Sequence, residues 1–159
     1  MKVIWVKGTM ISLEMYTLEK CHDFWSDYIS DYDMWEKDYI YDKEKVNLYY
    51  KEKVGDKSRR FFAICHEGKV VGEIQLKHID LEHKHGTISI HFSKNSYKNH
   101  GWGTEAEHLI IKYAFEKLGL NTIYADTVIR NTRSQHVLKK NGFIYTHSDG
   151  VFRYYKLER

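Results

Sequence analysis

Proline is absent from the 159 residues, so every turn in the chain falls to Gly, Asn, Asp and Ser. Cysteine is scarce: Cys21 and Cys65 form neither a disulfide framework nor a metal-ligand spacing and read as reduced thiols in a cytosol. No apolar run approaches the ~20 residues that a bilayer-spanning helix needs, so no membrane partner is expected. Residues 1–8 are briefly apolar but lack the small-residue cleavage site of a secretory leader. Charge of one sign is also in short supply. A net charge of +3 suits an anionic ligand but is too mild to argue for nucleic acid. With no internal repeat and no low-complexity linker, one cytoplasmic domain over 1–159 is the expectation.

Aromatic residues, by contrast, are plentiful. They make up 15% of the chain, with thirteen tyrosines, and many fall between Phe24 and Tyr50. Hydrophobic content of 42% and charged content of 30% fit a packed globular domain.

The alternation over 10–15 predicts a half-buried strand. Thr17 offers an N-cap for a helix toward Tyr28 with Leu18, Cys21, His22 and Trp25 on one face. Asp42 caps a second helix through Val46, Leu48, Tyr49 and Val54, stopped by Gly55. Strands at 61–66 and 70–77 flank the hairpin signal Glu67-Gly68-Lys69, a polar loop covers 78–85, and 87–92 alternates strictly. Ala106, Leu109, Ile110, Tyr113 and Ala114 trace a helix over 101–117, with Gly119 as its stop. A β-branched strand at 122–128 follows, then a short helix capped by Asn131 and closed by Asn141-Gly142. Strands at 143–148 and 151–157 are joined by an Asp149-Gly150 turn. The order β-α-α-β-β-β-α-β-α-β-β is that of a mixed α/β domain.

Chemistry concentrates where the strand at 87–92 gives way to the long helix. Lys98-Asn99-His100-Gly101-Trp102-Gly103-Thr104 opens that helix, whose first-turn N–H groups have no internal partner and whose dipole is positive there. Gly101 and Gly103 let a ligand approach the backbone, and Lys98 adds charge, so the segment suits a pyrophosphate. It is neither a P-loop, lacking Gly-Lys-Ser/Thr, nor a dinucleotide fingerprint, lacking a third glycine.

With Ile88-Ser89-Ile90-His91-Phe92 before it and Asn131-Thr132-Arg133-Ser134 and Lys140-Asn141-Gly142-Phe143 after it, this segment resembles the acetyl-CoA motif of GNAT-superfamily N-acetyltransferases. The branch it looks like contains the ribosomal-protein N-terminal acetyltransferases. The resemblance is clearest over residues 60–145. It implies a single-domain, mostly antiparallel central sheet flanked by helices and an enzyme using acetyl-CoA as co-substrate. Backbone N–H groups of Lys98, Asn99, His100, Gly101, Trp102, Gly103 and Thr104 would hold the pyrophosphate. The strand at Ile90 to Phe92 would follow the pantetheine arm and supply an N–H to the thioester oxygen, and Asn131 would bond the pantetheine.

Many family members carry a tyrosine seven residues after this Asn as proton donor to the departing thiolate; here the position is Leu138. The resemblance passes that role to Ser134, whose plainer reading is a small residue packing a helix on the sheet. His91, Glu73 and Asp149 are candidates for the base that an amine requires. The acceptor would be a primary amine: a protein N-terminus, or a cationic small molecule such as a polyamine or aminoglycoside. A CoA-binding or interaction module without turnover is the non-enzyme alternative, and a homodimer is left open. A basic nucleic-acid-binding sheet ranks last.

His78, His83 and His85 lack a full ligand set, and no metal is expected. Residues 23–44 hold eight acids, among them Asp31, Asp33 and Glu36, against two lysines, interleaved with aromatics. Such a segment suits a cationic acceptor, or is a solvated face over a tyrosine-rich core.

Overall fold

In the computed structural model, residues 4–31 and 37–159 are described. The elements are β1 (Ile4–Lys7), β2 (Ser12–Met15), α1 (Leu18–Asp27), α2 (Lys43–Tyr49), β3 (Arg60–His66), β4 (Lys69–Asp80), β5 (His85–Phe92), α3 (Trp102–Glu116), β6 (Thr122–Val128), α4 (Thr132–Lys140), β7 (Ile144–Ser148) and β8 (Phe152–Glu158). The expected mixed α/β class and mostly antiparallel sheet hold, with one strand more than the predicted order. Residues 4–7, which carry no turn or alternation signal, pair antiparallel with β2.

The eight strands form one sheet in the order β1-β2-β3-β4-β5-β6-β8-β7. All neighbours are antiparallel except β5 and β6. Strand alternation divides two apolar layers. Phe62 and Ile64 of β3 face the larger core with Leu13, Ile74, Ile110 and Ile123. Ala63 and Cys65 face a smaller one with Tyr16, Cys21, Phe24 and Val46 under α1 and α2.

The three predicted N-caps form. Thr17 accepts from the Lys20 N–H, Asp42 from those of Glu44 and Lys45, and Asn131 from that of Ser134. The buried face of α1 is Cys21 and Phe24, while Leu18 is 42% exposed. α2 runs on into a wider π-turn over Tyr50–Val54, closed by the Gly55 N–H on the Tyr50 carbonyl at 2.8 Å.

The Glu67-Gly68 turn has positive φ at both residues, 49° and 81°, as tight hairpins with a right-handed twist require. β4 extends to Asp80 past a bulge, so the loop foreseen at 78–85 shrinks to 81–84. The β7–β8 turn centres on Gly150-Val151, one residue later than expected. Asp149 N–H donates to the Phe152 carbonyl, and its carboxylate accepts from the Val151 and Phe152 N–H groups. Among the described residues no helix is long and apolar enough to cross a membrane.

Candidate functional site

β5 and β6 pair only at His85↔Thr122, Gly86↔Ile123 and Thr87↔Tyr124. Beyond Thr87 the two strands run apart, and α3 and α4 border the gap. The result is a cleft of about 570 Å³ that runs from the start of α3 to the side chains of His91 and Glu73.

The α3 end presents backbone N–H groups to the cleft. Asn99 (φ 65°) and Gly101 (φ 81°) both turn in the left-handed region, which Asn and Gly tolerate best, and they aim the chain into the helix. No side chain caps the N-terminus of α3. A Cβ on Gly103 would meet the Phe92 ring at 3.4 Å, so its absence widens the cleft at the first turn. The cradle is braced from behind by Glu105, whose carboxylate accepts from the Met10 N–H at 3.0 Å, the Ile11 N–H at 3.3 Å and the Thr9 hydroxyl at 3.1 Å. That bracing ties the β1–β2 connection to the start of the helix.

Of the residues expected to hold the donor, Ile90, Phe92, Lys98, Asn99, Gly101, Gly103, Thr104 and Asn131 line the cleft. His100 and Trp102 do not. The Trp102 ring stacks on His66 and on His100, at centroid distances of 4.3 and 4.9 Å. Lys98 is ion-paired with Asp31 at 3.0 Å, and Lys94 with Asp27 at 2.8 Å. Two acids of the aromatic segment therefore neutralise lysines of the cleft, while Asp33 and Glu36 lie outside the described residues. Arg133 and Lys140 of α4 also line the cleft and add positive charge that the sequence reading did not use.

The other end holds His91 and Glu73, opposite each other in the β4–β5 register. Glu73 is only 5% exposed. Its carboxylate accepts from the Tyr16 and Tyr49 hydroxyls, both at 2.8 Å, and lies 3.8 Å from His91 Nδ1. Burial, and then the Glu73 charge, hold both phenols far above their usual range, so they are donors throughout the working pH range.

The rings of Phe24, Trp25 and Tyr28 surround His91 at 5.1–5.7 Å. A 2.8 Å bond from the Ile29 N–H to the Ser93 carbonyl holds this segment against the end of β5. Ser134 lines the cleft beside Asn131, in the first turn of α4. Asp149 does not line it; its carboxylate organises the β7–β8 turn and accepts from Tyr154. Among the described residues no group of three His, Cys, Asp or Glu could hold a metal, and His83 and His85 instead approach Asp80.

Sequence reading passed over Glu107. It lies one helical turn after Gly103, on a face of α3 shared with buried Ile111, and it borders the cleft with 1% exposure. An acid on the apolar stripe of α3 was the signal available.

Residues 11–144 match the family model of the acetyltransferase (GNAT) domain, and the chain belongs to that family. It is 29% identical over 94 residues to spermidine N(1)-acetyltransferase of Escherichia coli K12, a match covering 59% of this chain and 50% of that protein. The chain thus spans about half the length of the curated relatives it matches.

Campylobacter jejuni N-acetyltransferase PseH, solved in complex with acetyl coenzyme A, is 27% identical with a TM-score of 0.64, over 73% of this chain and 79% of that one. A candidate ribosomal-protein-serine acetyltransferase from Vibrio cholerae shares the fold at a TM-score of 0.80 and 12% identity, over 100% and 98% of the two chains. Acetyltransferases of this family use acetyl-CoA, and the uncapped α3 terminus, the space left at Gly103 and the strand gap fit that molecule.

Proposed function

We propose that the protein is an acetyl-CoA-dependent N-acetyltransferase that acts on a primary amine, by direct attack within a ternary complex. The observation that carries this reading is the arrangement of one continuous cleft. Uncapped helix N–H groups lie at one end and His91, the buried Glu73 carboxylate and Tyr28 at the other, with a strand of free edge between them.

In this reading the N–H groups at the start of α3 hold the pyrophosphate, and the side chain of Asn131 faces the pantetheine while capping α4. The backbone of β5 past Thr87 offers an N–H to the thioester oxygen, a kind of contact typically worth ~3–4 kcal/mol of transition-state stabilisation. His91 takes the proton of the ammonium directly or through water, leaving the nitrogen lone pair free to attack the acetyl carbon. Glu73, fixed by Tyr16 and Tyr49, stands 3.8 Å from Nδ1 of that ring and orients it. As the C–S bond breaks, Ser134 gives its proton to the sulfur, and the second proton, shed by the acetylated nitrogen, passes through water to restore the Ser134 hydroxyl.

The Tyr28 ring and the buried Glu73 carboxylate, which both line that end of the cleft, favour a small cationic amine, since a ring and a negative charge both attract ammonium groups. The similarity to a spermidine acetyltransferase points the same way. A peptide N-terminus is the second acceptor class. The test is a screen of polyamines, aminoglycosides and peptides with acetyl-CoA, read as free thiol release. Acceptor-dependent release with a polyamine is expected. Binding of acetyl-CoA without release for any amine would replace the enzyme with a CoA-binding module.

A further inference from the structure

Glu107 is an acid where a helix facing a core ordinarily carries an apolar side chain. Ala106, Ile110 and Ile111 beside it on α3 are buried, it is itself 1% exposed, and it borders the gap between β5 and β6 together with Ile90, Asn131, Ser134 and Leu138. Its only hydrogen-bond partner among the described residues is the Asn141 amide, at 3.4 Å from Oε2. That amide is shared with the carbonyls of Thr104 and Val137. Oε1 has no such partner, so the carboxyl group keeps bonding capacity on the side of the cleft.

We propose that Glu107 acts as a neutral carboxylic acid that donates a hydrogen bond to the pantetheine arm of the acetyl donor, as a positioning residue for that arm. The inference rests on the functional reading above. The location carries it. Glu107 follows Gly103 by one helical turn, ~6 Å along the axis, which places it just beyond the pyrophosphate cradle, where the arm's amide carbonyls and hydroxyl must pass. The arm carries no charge of its own, so a carboxylate there would be desolvated without a counterion, whereas an O–H finds an acceptor.

Burial agrees with this state. It pushes the group from 4.5 to about 8, against a smaller opposing effect of the Asn141 bond. Other ionisable groups border the same cleft: Glu73 from β4, His91 from β5, Asp126 from β6, and Arg133, His136 and Lys140 from α4. Asp31 and Tyr28 approach from the end of α1, and Lys94 and Lys98 from the loop before α3. Glu107→Gln leaves all of these in place, so the difference between wild type and this variant reads Glu107 alone.

The experiment is calorimetric titration of acetyl-CoA, and of adenosine 3′,5′-bisphosphate, which lacks the arm, into wild type, Glu107→Gln and Glu107→Leu from roughly pH 7 to 9.5. That range lies above the phosphate titration near ~6. Wild-type affinity for acetyl-CoA should fall by up to about tenfold per pH unit above about 8, while the Gln variant, which keeps an N–H donor, should lack that fall. Glu107→Leu should bind acetyl-CoA about three- to tenfold more weakly at neutral pH, the loss of one neutral hydrogen bond. The bisphosphate should bind all three proteins alike.

Parallel pH profiles for wild type and Gln would overturn the proposal. So would equal losses for acetyl-CoA and the bisphosphate in either variant. Absence of any acetyl-CoA binding to the wild type would instead remove the functional reading itself, and this inference with it.

Discussion

Glu107→Gln tests the protonation state of a buried acid without any ligand present. In the folded protein burial raises this group from 4.5 to about 8. A raised folded value means that the native state holds a proton which the unfolded chain releases. The contribution to stability is fully present below pH ~4.5 and is lost as pH climbs toward about 8. From 4.5 to neutrality is about 2.5 units, each worth about 1.4 kcal/mol, so the wild type loses about 3 kcal/mol over that interval.

Glutamine has the same shape and titrates in neither state, so it escapes this loss. Urea denaturation at a series of pH values should find the two proteins within about 1 kcal/mol of each other at pH ~5. At pH ~7.5 the variant should be more stable by about 3 kcal/mol, on the order of 10 °C in Tm for a chain of this length. The wild-type-minus-variant difference is the quantity to follow, because every other titrating group cancels in it. A difference that stays constant from pH ~5 to 8, or a variant less stable than wild type at pH ~8, would refute the reasoning.

Two variants address the proposed chemistry. Gly103→Asp places a carboxylate at the cradle, in space bounded only by ordinary contact with the Phe92 ring, so Tm without ligand should change little. The stabilisation of ~2.7 kcal/mol expected from acetyl-CoA at a hundredfold excess over its Kd should vanish, and a retained thermal shift would refute the cradle. Ser134→Ala should leave acetyl-CoA affinity unchanged and lower kcat by about a hundredfold or more if the hydroxyl protonates the leaving thiolate. An unchanged kcat, with chemistry shown to be rate-limiting by single-turnover kinetics, would return Ser134 to a packing role.

What could be read from the residues alone was local. The caps at Thr17, Asp42 and Asn131 and the Glu67-Gly68 turn each depend on contacts within a few positions, and all appear where the pattern put them. The backbone at the start of α3 was legible for the same reason, since a loop, two glycines and a helix start are contiguous. The support of Glu73 was not. Tyr16 and Tyr49 lie 57 and 24 positions from it and meet it only through the stacking of α1 and α2 on β3 and β4. The Lys98–Asp31 pair spans 67 positions, so each residue could be given a separate role from sequence, one for phosphate and one for an acceptor. The face of α1 was misjudged by one position because Cys21 belongs to two overlapping stripes, one with Leu18 and Trp25 and one with Phe24 and Tyr28, and packing against the sheet, which decides between them, has no local signature.

The divergence of β5 and β6 also has a mechanical consequence. The eight-stranded sheet is held together at its middle by three parallel pairs, while its antiparallel halves, β1–β5 and β6–β8, are laced along most of their length. Parallel pairing is the weaker kind per residue, so this seam is where the sheet opens at least cost. A ligand lying in the gap touches β5 on one side and α4, carried by β6, on the other. It would occupy the seam as both wedge and staple. Amide hydrogens of residues 88–92 and 125–128 should therefore slow their exchange on ligand binding more than those of β3, whose edges are already paired with β2 and β4.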